Sequence, residues 1–263
     1  MLVMKWETMD RVGRIKKLIQ EIPKLGEYRL ELVSKIVEVL NMKIDIHTLP
    51  TSDIMNKSVS SDFGDILRLH HCFSREPFSK DKFEYALERV LEVNGISASL
   101  AKRGQRGYDM ILVKEKISLK TEAARDIKVE SIHISKFMEL GGGDWGDKEE
   151  DLIGLRTQFL NTLVTFDKII MLRALQKGNP YYVYELVEIP HSLLAEAEYG
   201  RLEMRMNSSQ YPKPGYCFVE ESGKLKFALY FDGGGERKLQ IKNLDKQLCT
   251  VHATWRFMSP KRI

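Results

Sequence analysis

The chain has 263 residues, 43% hydrophobic and 30% charged, with a formal net charge of +4. This is ordinary globular composition, long enough for one large domain or a core with an appendage. No apolar run approaches the ~20 residues that span a bilayer, which excludes a transmembrane helix, and the mild basic charge does not by itself name a nucleic-acid partner. Met1 to Trp6 shows no signal-peptide apolar region. Cys72, Cys217 and Cys249 are odd in number and far apart. A reduced, cytoplasmic protein is the expectation.

Apolar residues at Met9, Val12, Ile15, Leu18, Ile19 and Ile22 recur at helical spacing, and Leu30, Leu32, Val33, Ile36, Val37 and Leu40 repeat the pattern. Two amphipathic helices therefore form an N-terminal layer within a helical region, residues 1–79, serving for packing or, as a sharper reading, a dimer contact or DNA-flanking arm. Pro50 to Asp53 reads as a turn into a short helix, and Ser58 to Gly64 as a loop. His70, His71 and Cys72 hint at metal. No second pair of ligands follows, and a partly exposed loop before Pro77 is the better reading.

Ser79 is a candidate N-cap for a helix from Lys80 to Val93 that buries Phe83, Leu87, Val90 and Leu91, with Gly95 as its stop. Glu84 and Glu88 lie one turn apart on it. Ile96 to Leu100 is a short strand. Lys102, Arg103 and Arg106 then stand in a glycine-containing loop that leads to Asp109, where they could meet phosphates.

From Asp109 the sequence reads as a β-hairpin: a strand from Met110 to Val113, a turn at Lys114-Glu115, and a return strand from Ile117 to Lys120. Strand alternation puts Ser118 and Lys120 on one face and Ile117 and Leu119 on the core face. Pairing brings Asp109 to the edge that carries Lys120. A carboxylate beside a lysine is suited to holding a hard cation, orienting water and neutralising charge on phosphate. A surface hairpin with a solvated Asp and Lys is the bland alternative.

Asp109 with Ile117-Ser118-Leu119-Lys120 resembles the PD-(D/E)xK nuclease motif, in the form found among type II restriction endonucleases whose middle acid is replaced. The resemblance covers roughly residues 80 to 198. It makes Asp109 the first acid and Lys120 the lysine, with Ser118 standing where the second acid usually stands. It implies a metal held by Asp109, the backbone carbonyl of Leu119, and a helical glutamate, Glu84 or Glu88. Mg2+ is the implied cofactor, Mn2+ a substitute, and double-stranded DNA the substrate. A homodimer suits palindromic sites, although a monomer nicking each strand in turn is also compatible.

Further on, Lys128 to Ile134 reads as a strand, Gly141 to Asp147 as a loop without P-loop or EF-hand spacing, and Lys148 to Phe166 as a helix. Strands follow at Lys168 to Leu172 and Tyr181 to Ile189, then a helix from Ser192 to Ala197. The expected fold is α/β, restriction-endonuclease-like: a mixed central sheet flanked by helices, with the N-terminal helical layer and a β-rich C-terminal part.

The catalytic core is assigned to residues 80–200 and a β-rich recognition region to residues 201–263, the whole forming one compact unit. From Arg201 onward twelve Lys and Arg stand against six Asp and Glu. Lys213, Gln240, Lys242, His252 and Arg256 are candidate DNA contacts there. The leading function is a site-specific endonuclease. A repair or junction nuclease, a non-catalytic DNA-binding protein, and a nucleotide-handling enzyme using Gly141 to Gly143 are the alternatives, the last weakened by its missing lysine.

Overall fold

The computed structural model describes residues 9–102, 104–105, 107–124, 126–141 and 145–260. Asp10 caps α1 (Arg11–Glu21) by accepting from Gly13 N–H at 2.7 Å, and α2 (Glu27–Asn41) follows a short 3-10 turn. The amphipathic pattern forms both helices, yet among the described residues α1 buries none and α2 only Val39. Arg68 fixes the end of α2 by donating to the carbonyls of Val39, Leu40 and Met42, and the Val39 carbonyl also accepts Met42 N–H at 3.1 Å.

After β1 (Ile44–Thr48), the Ser58 to Gly64 stretch is helix, not loop. It belongs to α3 (Lys57–Phe73). Asn56 supplies the cap, accepting from Val59 N–H at 2.9 Å. Val59, Phe63 and Leu67 bury one face, and that burial outweighs the local preference of the serines for turns. Gly64 lets Trp255 and Ile44 close in, since a Cβ there would lie 2.8 Å from the isoleucine and 2.9 Å from the indole. His70 and His71 lie in this helix as well. His71 is buried, stacked on Tyr182 at 3.5 Å and bonded to the Tyr184 hydroxyl at 2.7 Å, and burial pushes its pKa down to about 4.

The remaining elements are α4 (Lys80–Val93), β2 (Ala98–Leu100), β3 (Met110–Leu112), β4 (Glu115–Glu122), β5 (Ser131–Glu139), α5 (Asp151–Leu163), β6 (Lys168–Gly178), β7 (Tyr181–Ile189), α6 (His191–Ala195), β8 (Arg201–Met204), β9 (Gly215–Glu221), β10 (Lys224–Asp232), β11 (Lys238–Asp245) and β12 (Thr250–Met258). They make two sheets, ordered β1-β12-β7-β6-β4-β3-β2 and β5-β11-β10-β9-β8. The first is mixed: β4 and β6 run parallel and its other neighbours antiparallel. A parallel pair needs a long crossover, and the segment holding β5 and α5 provides it.

One face of the central sheet packs on α3 and α4 through Ile117, Leu119, Ile170, Leu172 and Trp255. The other face meets α5 and the second sheet through Ile169, Met171, Phe159, Phe227 and Ile241. The expected α/β architecture with a mixed central sheet, flanking helices and β-rich C-terminal part is therefore present. The division at residue 200 does not separate the sheets, because β12 lies within the central one. Among the described residues no helix is long and apolar enough to cross a membrane.

Beyond Lys120, the β4–β6–β7 face closes on a buried ionic network. Arg173, fully buried, donates to Glu122 at 2.5 Å and to Glu185, and to the carbonyls of Lys128 at 2.7 Å and Ser131 at 2.8 Å.

Candidate active site

Asp109 sits just before β3, where the chain has turned through Gly107 at φ 100°. A Cβ on Gly107 would lie 2.6 Å from Thr165 Oγ1, so only glycine fits. Asp109 N–H donates to the Ile117 carbonyl at 2.8 Å, which carries the pairing one step past β3. Beyond that step β4 has no β3 partner, and Leu119 N–H turns instead to Asp109 Oδ2 at 2.7 Å. Strand alternation directs the Leu119 carbonyl to the same side, past the end of β3. Ser118 is buried, and its hydroxyl reaches the same Asp109 oxygen at 3.5 Å.

Lys120, on the Ser118 face, lies against the Phe137 ring at 5.5 Å, with Phe137 O 3.5 Å from its Nζ. Burial lowers its pKa from the usual lysine range and the nearby Lys80 acts the same way, while the charges of Asp109 and Glu84 oppose them. Lys80, Lys120, Thr121, Ser135, Lys136 and Phe137 line the cleft in front of these groups.

The structure separates the two helical glutamates. Glu84 lies 3.2 Å from Lys80, a residue of the cleft wall, and burial, with Asp109 adding to it, raises its pKa while Lys80 opposes. Glu88 accepts from Leu100 N–H at 2.7 Å and ties α4 to β2. Lys80, which the motif does not single out, bonds Asp109 Oδ1 at 2.7 Å and lies 3.2 Å from Glu84 Oε1. Burial works to lower its pKa, but the two carboxylates outweigh this and raise it. Its position four residues before Glu84 is visible in the sequence, but the reach of its side chain to Asp109 is not.

Among the described residues, the candidate DNA contacts lie on several separate elements. Arg103 and Arg106 lie outside the described residues, and Lys102 is exposed in the same loop. Gln240 and Lys242 stand on the outer face of the second sheet. There Gln240 bonds Asp232 at 3.2 Å, and Lys242 covers the Tyr230 ring at 3.7 Å. Tyr216, stacked on Phe218 at 5.1 Å, continues that face, and Arg205 and Arg201 cover the two rings.

Lys213 is half-buried, and its Nζ bonds the Ser208 carbonyl at 2.5 Å. Arg256 is exposed over Tyr181 on the central sheet. His252, expected as a DNA contact, is instead buried, held by Ser52 at 2.8 Å and Glu188 at 3.1 Å. Asp53, Glu188 and His252 do cluster within metal-ligand distance, but Lys168 bonds Asp53 and supplies a positive charge there.

A family model described as "SmaI: Type II site-specific deoxyribonuclease" matches residues 18–257, nearly the whole chain. The chain belongs to this family. It is also 43% identical over 212 residues to the type II restriction enzyme SmaI of Serratia marcescens, covering 80% of this chain and 84% of that one. No solved structure matches it. As a SmaI-family member the chain is a site-specific DNA endonuclease, and a repair nuclease or silent DNA-binding module is not favoured. SmaI-family membership also implies a divalent metal. The oxygen donors of Asp109 and Glu84, already gathered around the Lys80 ammonium, are the hard donor set such an ion takes.

Proposed function

We propose that the chain hydrolyses duplex DNA with Mg2+ at the cleft where Asp109, Glu84 and Lys120 meet. The supporting observation is that Asp109 and Glu84 share the Lys80 ammonium, at 2.7 and 3.2 Å, beside the cleft that Lys80 and the half-buried Lys120 line. Asp109 and Glu84, with the Leu119 carbonyl, would hold the ion, and Glu84 supplies the acid that the Ser118 position lacks. Mn2+ would fit the same donors. When bound, the ion polarises the scissile phosphate and neutralises developing charge. The Ser118 hydroxyl and Leu119 N–H hold the Asp109 carboxylate in one orientation. Lys120 orients the attacking water and screens charge on the phosphate as the P–O bond breaks. Lys102 and the outer face of the second sheet, through Lys242, Arg205 and Tyr216, carry the duplex.

The exposed apolar face of α1, with Val12, Ile15, Leu18 and Ile19, supports a two-fold homodimer matched to a palindromic site. A cytoplasmic location follows from this role. The test is phage-length duplex DNA with Mg2+, beside an EDTA control and the Asp109→Asn and Lys120→Met variants. Discrete fragments lost in all three controls are expected, with gel-shift binding kept by Lys120→Met. Unchanged cutting by either variant would overturn the assignment.

A further inference from the structure

Lys80 opens α4 and folds back over the pair that the proposed reading gives to metal. Asp109 Oδ2 is taken by Leu119 N–H at 2.7 Å. The remaining oxygen, Oδ1, carries the Lys80 ammonium at 2.7 Å, with Glu84 Oε1 on its other side at 3.2 Å. A divalent ion bound by these oxygens would lie roughly 2.0–2.6 Å from each. That is the space the ammonium occupies, and two cations so close repel strongly in a half-buried cleft. The side chain of Lys80 is 39% exposed, against 22% for Asp109 and 19% for Glu84. It therefore has a route out that the carboxylates lack.

We infer that Lys80 is an exchangeable resident cation: it pairs Asp109 with Glu84 until a divalent ion displaces it, and it then bonds a phosphate of the bound duplex. This rests on the reading of Asp109 and Glu84 as metal-holding carboxylates. The exchange is balanced in kind. The carboxylates trade an ammonium for a divalent ion, and the ammonium trades carboxylate for phosphate, its anchor at the start of α4 keeping it beside the cleft. Without DNA the divalent ion must expel a lysine that gains no new partner. With DNA the phosphate takes the lysine and the ion enters more easily. Duplex and metal thus strengthen each other's binding by the same factor, and the hydrolytic centre fills chiefly on engaged DNA.

The test follows Mn2+ binding without DNA, by loss of the free-ion paramagnetic resonance signal, in the wild-type chain and in Lys80→Met, Lys80→Gln, Lys80→Arg, Lys136→Met and Asp109→Asn. Lys80→Met and Lys80→Gln should each tighten Mn2+ about tenfold or more. Lys80→Arg, which keeps the charge, and Lys136→Met, which removes a cleft cation not bonded to Asp109, should stay within about twofold of wild type. Ca2+ titrations beside a duplex carrying the mapped cleavage site should show DNA raising affinity in wild type and much less in Lys80→Met. Wild-type Mn2+ affinity in both neutral variants, an equal gain in Lys136→Met, or equal DNA dependence in Lys80→Met would overturn the exchange. Unchanged Mn2+ binding in Asp109→Asn would instead overturn the reading of the metal carboxylates.

Discussion

Replacing Arg173 with methionine should destabilise the fold by about 3–5 kcal/mol, because it removes one partner of a buried ionic group and strands the others. The side chain is fully buried, and methionine fills part of its volume while donating nothing. Glu185 keeps Lys246 at 3.2 Å, but among the described residues Glu122 keeps only His133 N–H at 3.1 Å. The carbonyls of Lys128 and Ser131 lose their guanidinium donor as well. Burial already raises the Glu122 pKa and Arg173 is the leading counterweight, so the variant raises it further. A carboxyl whose folded pKa exceeds its unfolded value binds the extra proton in the folded state. Its stabilising contribution is present at low pH and lost as pH rises through the folded pKa. The deficit against wild type should therefore be greatest near neutrality and shrink on acidification. Urea unfolding followed by tryptophan fluorescence at about pH 7.5 and about pH 5 measures both quantities. A deficit under about 1 kcal/mol, or one equal at the two pH values, would refute the reasoning.

Three further outcomes are expected. Glu84→Gln should abolish most cleavage, whereas Glu88→Gln keeps an amide oxygen for Leu100 N–H and should cut at near the wild-type rate; equal losses in initial-rate assays would remove Glu84 from the centre. His71, depressed to about 4 from 6.5, leaves the unfolded chain binding the extra proton between those values, so stability falls as pH drops through them. His71→Gln should escape that part of the acid sensitivity, up to roughly 3 kcal/mol at 1.36 kcal/mol per unit, in urea midpoints compared across the interval. Gly107→Ala drives a methyl into Thr165 at a φ of 100°, at a cost of order 1–3 kcal/mol. It should lower both the melting temperature and the cleavage rate by moving Asp109, and a variant that melts and cuts like wild type would show that the turn tolerates the group.

The faces of the hairpin from Asp109 to Lys120 were legible because a two-residue period names them whatever surrounds it, although the turn lies at Val113-Lys114, one residue before the expected Lys114-Glu115. The helix after Ser79 was legible for the matching reason at period 3.6. Four features were not. Ser58 to Ser61 resembles a loop until the burial of Val59, Phe63 and Leu67 is known, and burial is a property of the partners. His252 looks like a recognition side chain in a basic tail, yet β12 turns it inward to Ser52 and Glu188. Lys80 was hidden because spacing fixes where a Cβ points, whereas a lysine stem of four methylenes ends wherever charge attracts it. The choice between Glu84 and Glu88 was undecidable for a related reason: both lie on one helix face, and only the docking of β2 takes Glu88 away from the cleft.

The place of β12 bears on how this nuclease comes into being. It lies between β7 and β1 and pairs Phe257 with Ile44, Trp255 with Ile46 and Trp255 with Tyr184. Its Trp255 fills the space that Gly64 opens. Every other strand leaves the ribosome before it. Until β12 arrives β1 has no neighbour in the sheet, and the layer beneath α3 lacks its largest side chain. Closing so distant a pair is slow, and it comes after local structure has formed. A nascent or shortened chain can hold the Asp109 hairpin and α4 without a finished sheet to brace them. Completion of the central sheet and closure of the core under α3 are thereby coupled, because β1 and the space beside Gly64 both wait on one strand.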